Sequence, residues 1–180
     1  MSNTVLTRTL SIGWRRLVPV VLFTIMGLAT AVAQAPNTIG GHIGFAFPLV
    51  TTDGSTTTTL GDNFSIAFPV GISVKGPGRV FFDLELVPLI QDSPRKVTLT
   101  VHPGLLTGVG HGVSLGGRLA FDVNSSTFGF TGVVIKSWPI HNSFFKSYFV
   151  EGDLPVRFNR PQGGPSTNTF GFNAHFGVGF

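Results

Sequence analysis

The chain has 180 residues, enough for one domain. Only 11% are charged, where an ordinary soluble domain carries about 25%, and 42% are hydrophobic, with 24 Gly, 18 Phe and no Cys. That balance excludes a disulfide scaffold and calls for either an unusually large core or a face turned to lipid.

The first segment accounts for part of the apolar excess. Residues 1–16 carry Arg8, Arg15 and Arg16 and no acid, and Leu17 to Ala33 follow without a charge, ending in the small-residue stretch "AVAQA". A basic start, an apolar run and a small-x-small site predict a secretory signal peptide over residues 1–33, cleaved after Ala33. The alternative is an uncleaved anchor, since the run is near the lower length for a span. Three of the twelve bases and none of the eight acids precede Gln34, which leaves nine bases against eight acids in residues 34–180. The basic excess therefore belongs to the leader, and nucleic acid is not an expected partner.

Beyond residue 34 the period is two, interrupted by clusters of Gly, Pro, Ser, Asn and Asp. Ile39, Ile43, Phe45, Phe47 and Leu49 alternate with Gly40, His42, Gly44 and Ala46. Phe64, Ile66, Phe68, Val70, Ile72 and Val74 alternate with small or polar residues over "NFSIAFPVGISVK". The same pattern recurs in "RVFFDLELVPLI", "VTLTVHPGLL", "VSLGGRLAFDV", "FFKSYFVEGDLPVRF" and "TFGFNAHFGVGF", and more weakly in "TFGFTGVVIKSW", where Val133 and Ile135 fill the second face. Eight strands of about ten residues each are predicted, the length that crosses a bilayer at a tilt. Connections alternate between polar stretches (51–62, 91–96, 124–126, 160–169) and compact turns (75–79, 107–112, 139–142).

The last strand sets Phe170, Phe172, Ala174, Phe176, Val178 and Phe180 against Gly171, Asn173, His175, Gly177 and Gly179. Together with the loop asymmetry, this resembles bacterial outer-membrane β-barrels of the small eight-stranded OmpA/OmpX-like type. The resemblance implies an all-β, antiparallel, up-and-down transmembrane barrel over residues 34–180. It also implies a C-terminal assembly signal at Phe172, Phe176, Val178 and Phe180, read by the barrel-assembly machinery, and a seam between the last strand and residues 39–50. No appended peptidoglycan-binding domain is expected. The competing expectation is a soluble eight-stranded barrel with a ligand pocket, but the small-polar faces hold too few solvating groups for a water-facing exterior.

Few charges fall on the apolar faces. Lys136 and Lys146 lie near the 139–142 turn, where a lysine can snorkel, and Trp138 sits at the same level; all three are expected as interface anchors. Five prolines inside predicted strands oppose the scheme: Pro48, Pro88, Pro103 and Pro155, expected near strand ends, and Pro69, which falls mid-strand.

The other faces fill the interior. Depth counted along the strands predicts a lumenal polar network of Asp83, Glu85, His102, Arg118, Glu151 and His175, with Arg118 pairing Asp83 and Glu85, and His175 pairing Glu151. Inward acids, Asp122 and Asp153 included, outnumber Arg79, Arg118 and Arg157, which leaves a narrow cation-preferring path as an alternative to a plug. His141 and Ser143 resemble the His-x-Ser of outer-membrane lipid A deacylases, yet they fall on a turn at the wrong end of the barrel for that substrate. No metal-ligand, phosphate or nucleotide motif stands out, so no cofactor is expected. The expected role is a structural or surface-interacting monomer in outer-membrane lipid, without catalysis.

Overall fold

The computed structural model describes residues 38–141 and 144–180, so the expected signal peptide lies outside the described residues. Every regular element among them is a strand: β1 (Thr38–Thr52), β2 (Thr57–Thr59), β3 (Ser65–Ala67), β4 (Val70–Lys75), β5 (Val80–Gln91), β6 (Lys96–Gly110), β7 (Val113–Asp122), β8 (Thr127–Pro139), β9 (Ser147–Asn159) and β10 (Thr167–Gly179). Each long strand pairs antiparallel with its neighbour in sequence, and β10 pairs back onto β1. The sheet closes into a ring.

Ten strands rather than eight follow from two local features. β2 is a three-residue flap that folds back on Val50–Thr52 at the tip of β1. β3 and β4 occupy one place in the ring, both lying between β1 and β5. The break between them falls at Phe68 and Pro69.

That break is one instance of a wider rule. Proline has no N–H to give a ladder, and Pro48, Pro69, Pro88, Pro103 and Pro155 each sit where pairing is interrupted on at least one side. Pro69 and Pro88 both fall in the gap between the β3–β5 and β4–β5 ladders, which is bridged when Phe68 N–H donates to the Pro88 carbonyl at 2.9 Å. Pro48 marks the register shift between β1 and β10. Pro103 falls in the gap of the β6–β7 ladder, between Val101 and Gly104. Pro155 falls in the gap of the β9–β10 ladder, between Asp153 and Val156. Of the four prolines expected toward strand ends, absorbed by bulges or fraying, Pro48 does sit at a register shift near the end of β1, but Pro103 and Pro155 do not lie at fraying ends. At Pro88, Pro103 and Pro155 the sheet loses one ladder locally while keeping the other, whereas at Pro69 both ladders are interrupted.

Strict alternation then sorts the side chains, because successive residues of a strand point to opposite faces. Along β7, Leu115, Leu119 and Phe121 are exposed while Arg118 and Ala120 are buried. On β9, Tyr148, Val150 and Leu154 are exposed while Phe149, Glu151 and Asp153 are buried. Cross-strand pairs reinforce the register: Trp138 and Tyr148 are direct partners and stack at 5.1 Å, and Phe128 lies opposite Phe158 at 5.5 Å. Such pairs contribute about 0.2–1 kcal/mol each.

Candidate functional site

The distribution of polarity is inverted relative to a soluble protein. Among the described residues the buried hydrophobic set is small, Ala46, Ala67, Leu106, Ala120, Val133 and Phe149, while large apolar side chains are exposed on every strand place around the ring. The interior holds the charges. Asp83, Glu85, Arg118, Glu151, Asp153 and His175 are all at most 6% exposed.

Arg118 is the hub. Its Nε donates to Asp83 Oδ2 at 2.8 Å, its Nη1 donates to Glu151 Oε1 and lies 3.5 Å from Glu85 Oε2, and its Nη2 reaches Glu151 Oε2 at 3.4 Å. Glu85 is flanked by two imidazoles, His42 Nε2 at 3.1 Å and His102 Nδ1 at 3.4 Å. His175 Nδ1 lies 3.7 Å from Glu151 Oε2 and 3.9 Å from Glu85 Oε1. Ser73 Oγ donates to Asp83 Oδ1 at 2.7 Å. The six residues expected in the interior are thus brought together as one cluster, because Arg118 joins the two expected groups by bonding Glu151 as well as Asp83.

Register explains the convergence. Glu85 lies opposite His102, Gly104 opposite Arg118, and Glu151 opposite His175. A planar guanidinium with five donors can serve several carboxylates in one plane, which a lysine cannot. Gly104 leaves room for it: a Cβ there would stand 2.6 Å from Arg118 Cγ.

Three members escape the depth count. His42 belongs to β1, two strand places from Glu85 around the ring, and reaches it over Gly71, whose absent Cβ would collide with the imidazole. Parity already places His42 inward, but only the closed ring sets its level. Asp153 follows Glu151 by two residues on the same face. Arg157 bridges upward, donating to Thr131 Oγ1 and contacting His102 Nε2, each at 3.0 Å. Arg79 is not an interior residue. It lies exposed in the turn before β5.

The cluster divides the interior into two cavities. One, of about 210 Å³, opens towards the compact-turn end and is lined by Lys75, Phe81, Ser114, Ser137, Ser147 and Phe180, among others. The second, of about 200 Å³, opens towards the polar-loop end and is lined by Thr51, Thr98, Asp122, Arg157 and Asn173, among others. Arg118 borders both.

At the rim of the turn end, Lys136 donates from Nζ to the His111 carbonyl and lies 5.4 Å above the Trp138 ring. Lys146 is exposed and borders the adjoining cavity. Phe144 stacks on Phe180 at 5.8 Å. Of the final strand's outward set, Phe172, Phe176 and Phe180 are exposed and Val178 is half-buried, with Val178 opposite Ile43 of β1. His141 is exposed in the same region, and Ser143 lies outside the described residues. At the opposite end, Asp53 accepts hydrogen bonds from the Thr56 and Ser55 amides at 2.8 and 2.9 Å and from the Ser55 hydroxyl at 2.8 Å. These donors, Thr56 foremost, hold its carboxyl below the usual range.

Compared with known proteins, the chain matches no family model, and no curated protein matches it.

Proposed function

We propose that this chain is an integral protein of the bacterial outer membrane, a plugged β-barrel whose role is membrane architecture or surface interaction through its polar loops, without catalysis. The observation that carries this reading is the inverted polarity of a closed sheet: apolar side chains outside, paired charges within. In hydrocarbon every backbone group needs a partner, so a sheet can span only if it has no edge, and β10 pairing with β1 meets that condition. β5 to β10 run from 10 to 15 residues, against the roughly 9–11 a tilted spanning strand needs.

On this reading, lipid covers Phe82, Leu119, Phe130 and their neighbours, and Trp138 and Tyr148 form part of an aromatic girdle at the periplasmic rim. Lys136 and Lys146 reach headgroups there. The polar stretches 51–62 and 160–169 face outward from the cell. A sheet without edges offers no strand for pairing with a second copy, in keeping with a monomer.

The test is fractionation of expressing cells with a heat-modifiability gel. The protein is expected in the outer-membrane fraction, extracted only by detergent, with different mobility before and after boiling. Release into plain buffer as a monodisperse β-rich protein, with one mobility in both samples, overturns the proposal.

A further inference from the structure

Charge within the ring does not balance. Four buried carboxylates, Asp83, Glu85, Glu151 and Asp153, accompany one buried guanidinium. Arg118 is committed to Asp83, Glu151 and Glu85, and two imidazoles attend Glu85. Asp153 forms no ion pair with them and lies against the Glu151 carboxyl instead. Its Oδ1 has no hydrogen-bond partner, nor has Nε2 of the neighbouring His175, and both groups are more than nine-tenths buried. Burial of a polar atom without a partner costs about 1–3 kcal/mol, and more for a charged one, so the orphaned Asp153 Oδ1 calls for an occupant.

The backbone builds the place for one. Glu151 and Asp153 are two residues apart on the inner face of β9, and His175 lies directly opposite Glu151 on β10. One ligating atom from each of the three lies within 4.8 Å of the others. Glu151 gives Oε1 to Arg118 Nη1 and accepts a long 3.4 Å bond from Nη2 at Oε2, which also stands 3.7 Å from His175 Nδ1. At metal–ligand distances of about 2.0–2.2 Å, two donors on one ion stand roughly 3–3.5 Å apart. A small inward movement of the side chains therefore closes the triad around a cation.

We infer that Glu151, Asp153 and His175 form a binding site for one divalent transition-metal cation inside the ring. Two carboxylate oxygens and one imidazole nitrogen suit the zinc, cobalt and manganese class. Calcium prefers six to eight oxygens, and magnesium a near-octahedral oxygen set. The cavity of about 200 Å³ towards the polar loops is lined by both Asp153 and His175. It has room for the waters that complete the coordination, each occupying about 30 Å³. The other arginine of that cavity, Arg157, makes its hydrogen bonds to Thr131, His102 and the Phe130 and Val156 carbonyls rather than to the three ligands. A dication there offsets the surplus carboxylate charge and ties β9 to β10 beside the Pro155 gap, where their ladder is interrupted.

The test uses the purified, folded protein, stripped with EDTA and titrated with Co²⁺ while visible absorption is followed. The expected result is one Co²⁺ per chain, displaced by Zn²⁺ and retained in a hundredfold excess of Mg²⁺. Asp153→Asn and His175→Gln are each expected to weaken Co²⁺ binding by at least about tenfold, the lower end of what loss of a supporting group alone costs a metal site, with circular dichroism unchanged. His111→Gln, in an exposed turn, leaves binding as it was. If His175→Gln does not fold, the near-isosteric Asp153→Asn decides the matter. Absence of a cobalt band, wild-type affinity in Asp153→Asn, or loss of binding in His111→Gln overturns the inference.

Discussion

Replacing Arg118 by Met tests the interior most directly. The substitution keeps an unbranched chain of similar reach and removes every donor, leaving Asp83, Glu151 and Glu85 without the guanidinium they now share at 2.8 Å, in direct contact and at 3.5 Å. Breaking a buried ion pair from one side costs about 3–5 kcal/mol, because the partner charge stays buried and uncompensated. With a urea slope of about 1–3 kcal/mol per molar, the unfolding midpoint is expected to fall by roughly 1–5 M. The assay is urea unfolding in detergent micelles, followed by Trp138 fluorescence and by the fraction retaining folded mobility on an unboiled gel. Arg118→Lys keeps the charge but loses the fork that reaches three carboxylates, and its midpoint is expected between those of wild type and Arg118→Met. Should Arg118→Met fail to fold, the lysine variant carries the comparison. A midpoint in either variant within about 0.3 M of wild type, worth less than about 1 kcal/mol at that slope, refutes the claim that this guanidinium holds the interior together.

Two further outcomes bear on the outer surface and the loops. Leu119 is 54% exposed and sits next to Arg118, near mid-height of the ring; on a lipid-facing barrel wall Leu119→Arg is expected to cost about 2–4 kcal/mol and to reduce the folded fraction in vesicles, whereas an unchanged or improved yield in plain buffer contradicts a lipid-facing wall. The Asp53 carboxyl is held low by its amide donors, so the order it gives residues 53–56 is present above the unfolded-state pKa and is lost as pH falls through the lower folded-state value. The Ser55 and Thr56 amide resonances, followed by NMR under acidification, are expected to shift together below the usual carboxylate range; midpoints at the ordinary Asp value refute that ordering.

How much of this could be read from the residues varies with distance along the chain. Alternation of period two is a local property, and it determined that residues 38–180 form strands and which side of each is apolar: Val150 and Leu154 against Glu151 and Asp153 need nothing beyond their spacing. Compact turns between long strands determined that neighbours pair antiparallel. The same parity placed six charged or imidazole side chains on the inner face, and roughly at one level.

Only closure of the sheet decided the rest. A strand's level depends on its register with both neighbours, so His42 meets Glu85 only because β1 and β5 flank β4 at Gly71, where no Cβ stands between them. Proline shows the same limit: sequence marks a missing donor but not which of two ladders loses it, and the gaps at Pro103 and Pro155 are settled by the partner strands. The single hub at Arg118 is likewise a product of the ring. Asp83 and Glu151 are 68 residues apart in sequence, and one guanidinium can hold both only where opposite walls of a closed sheet bring their inward side chains within its reach. Local spacing fixes the direction in which a side chain points; what it meets there depends on chain segments that the spacing does not describe.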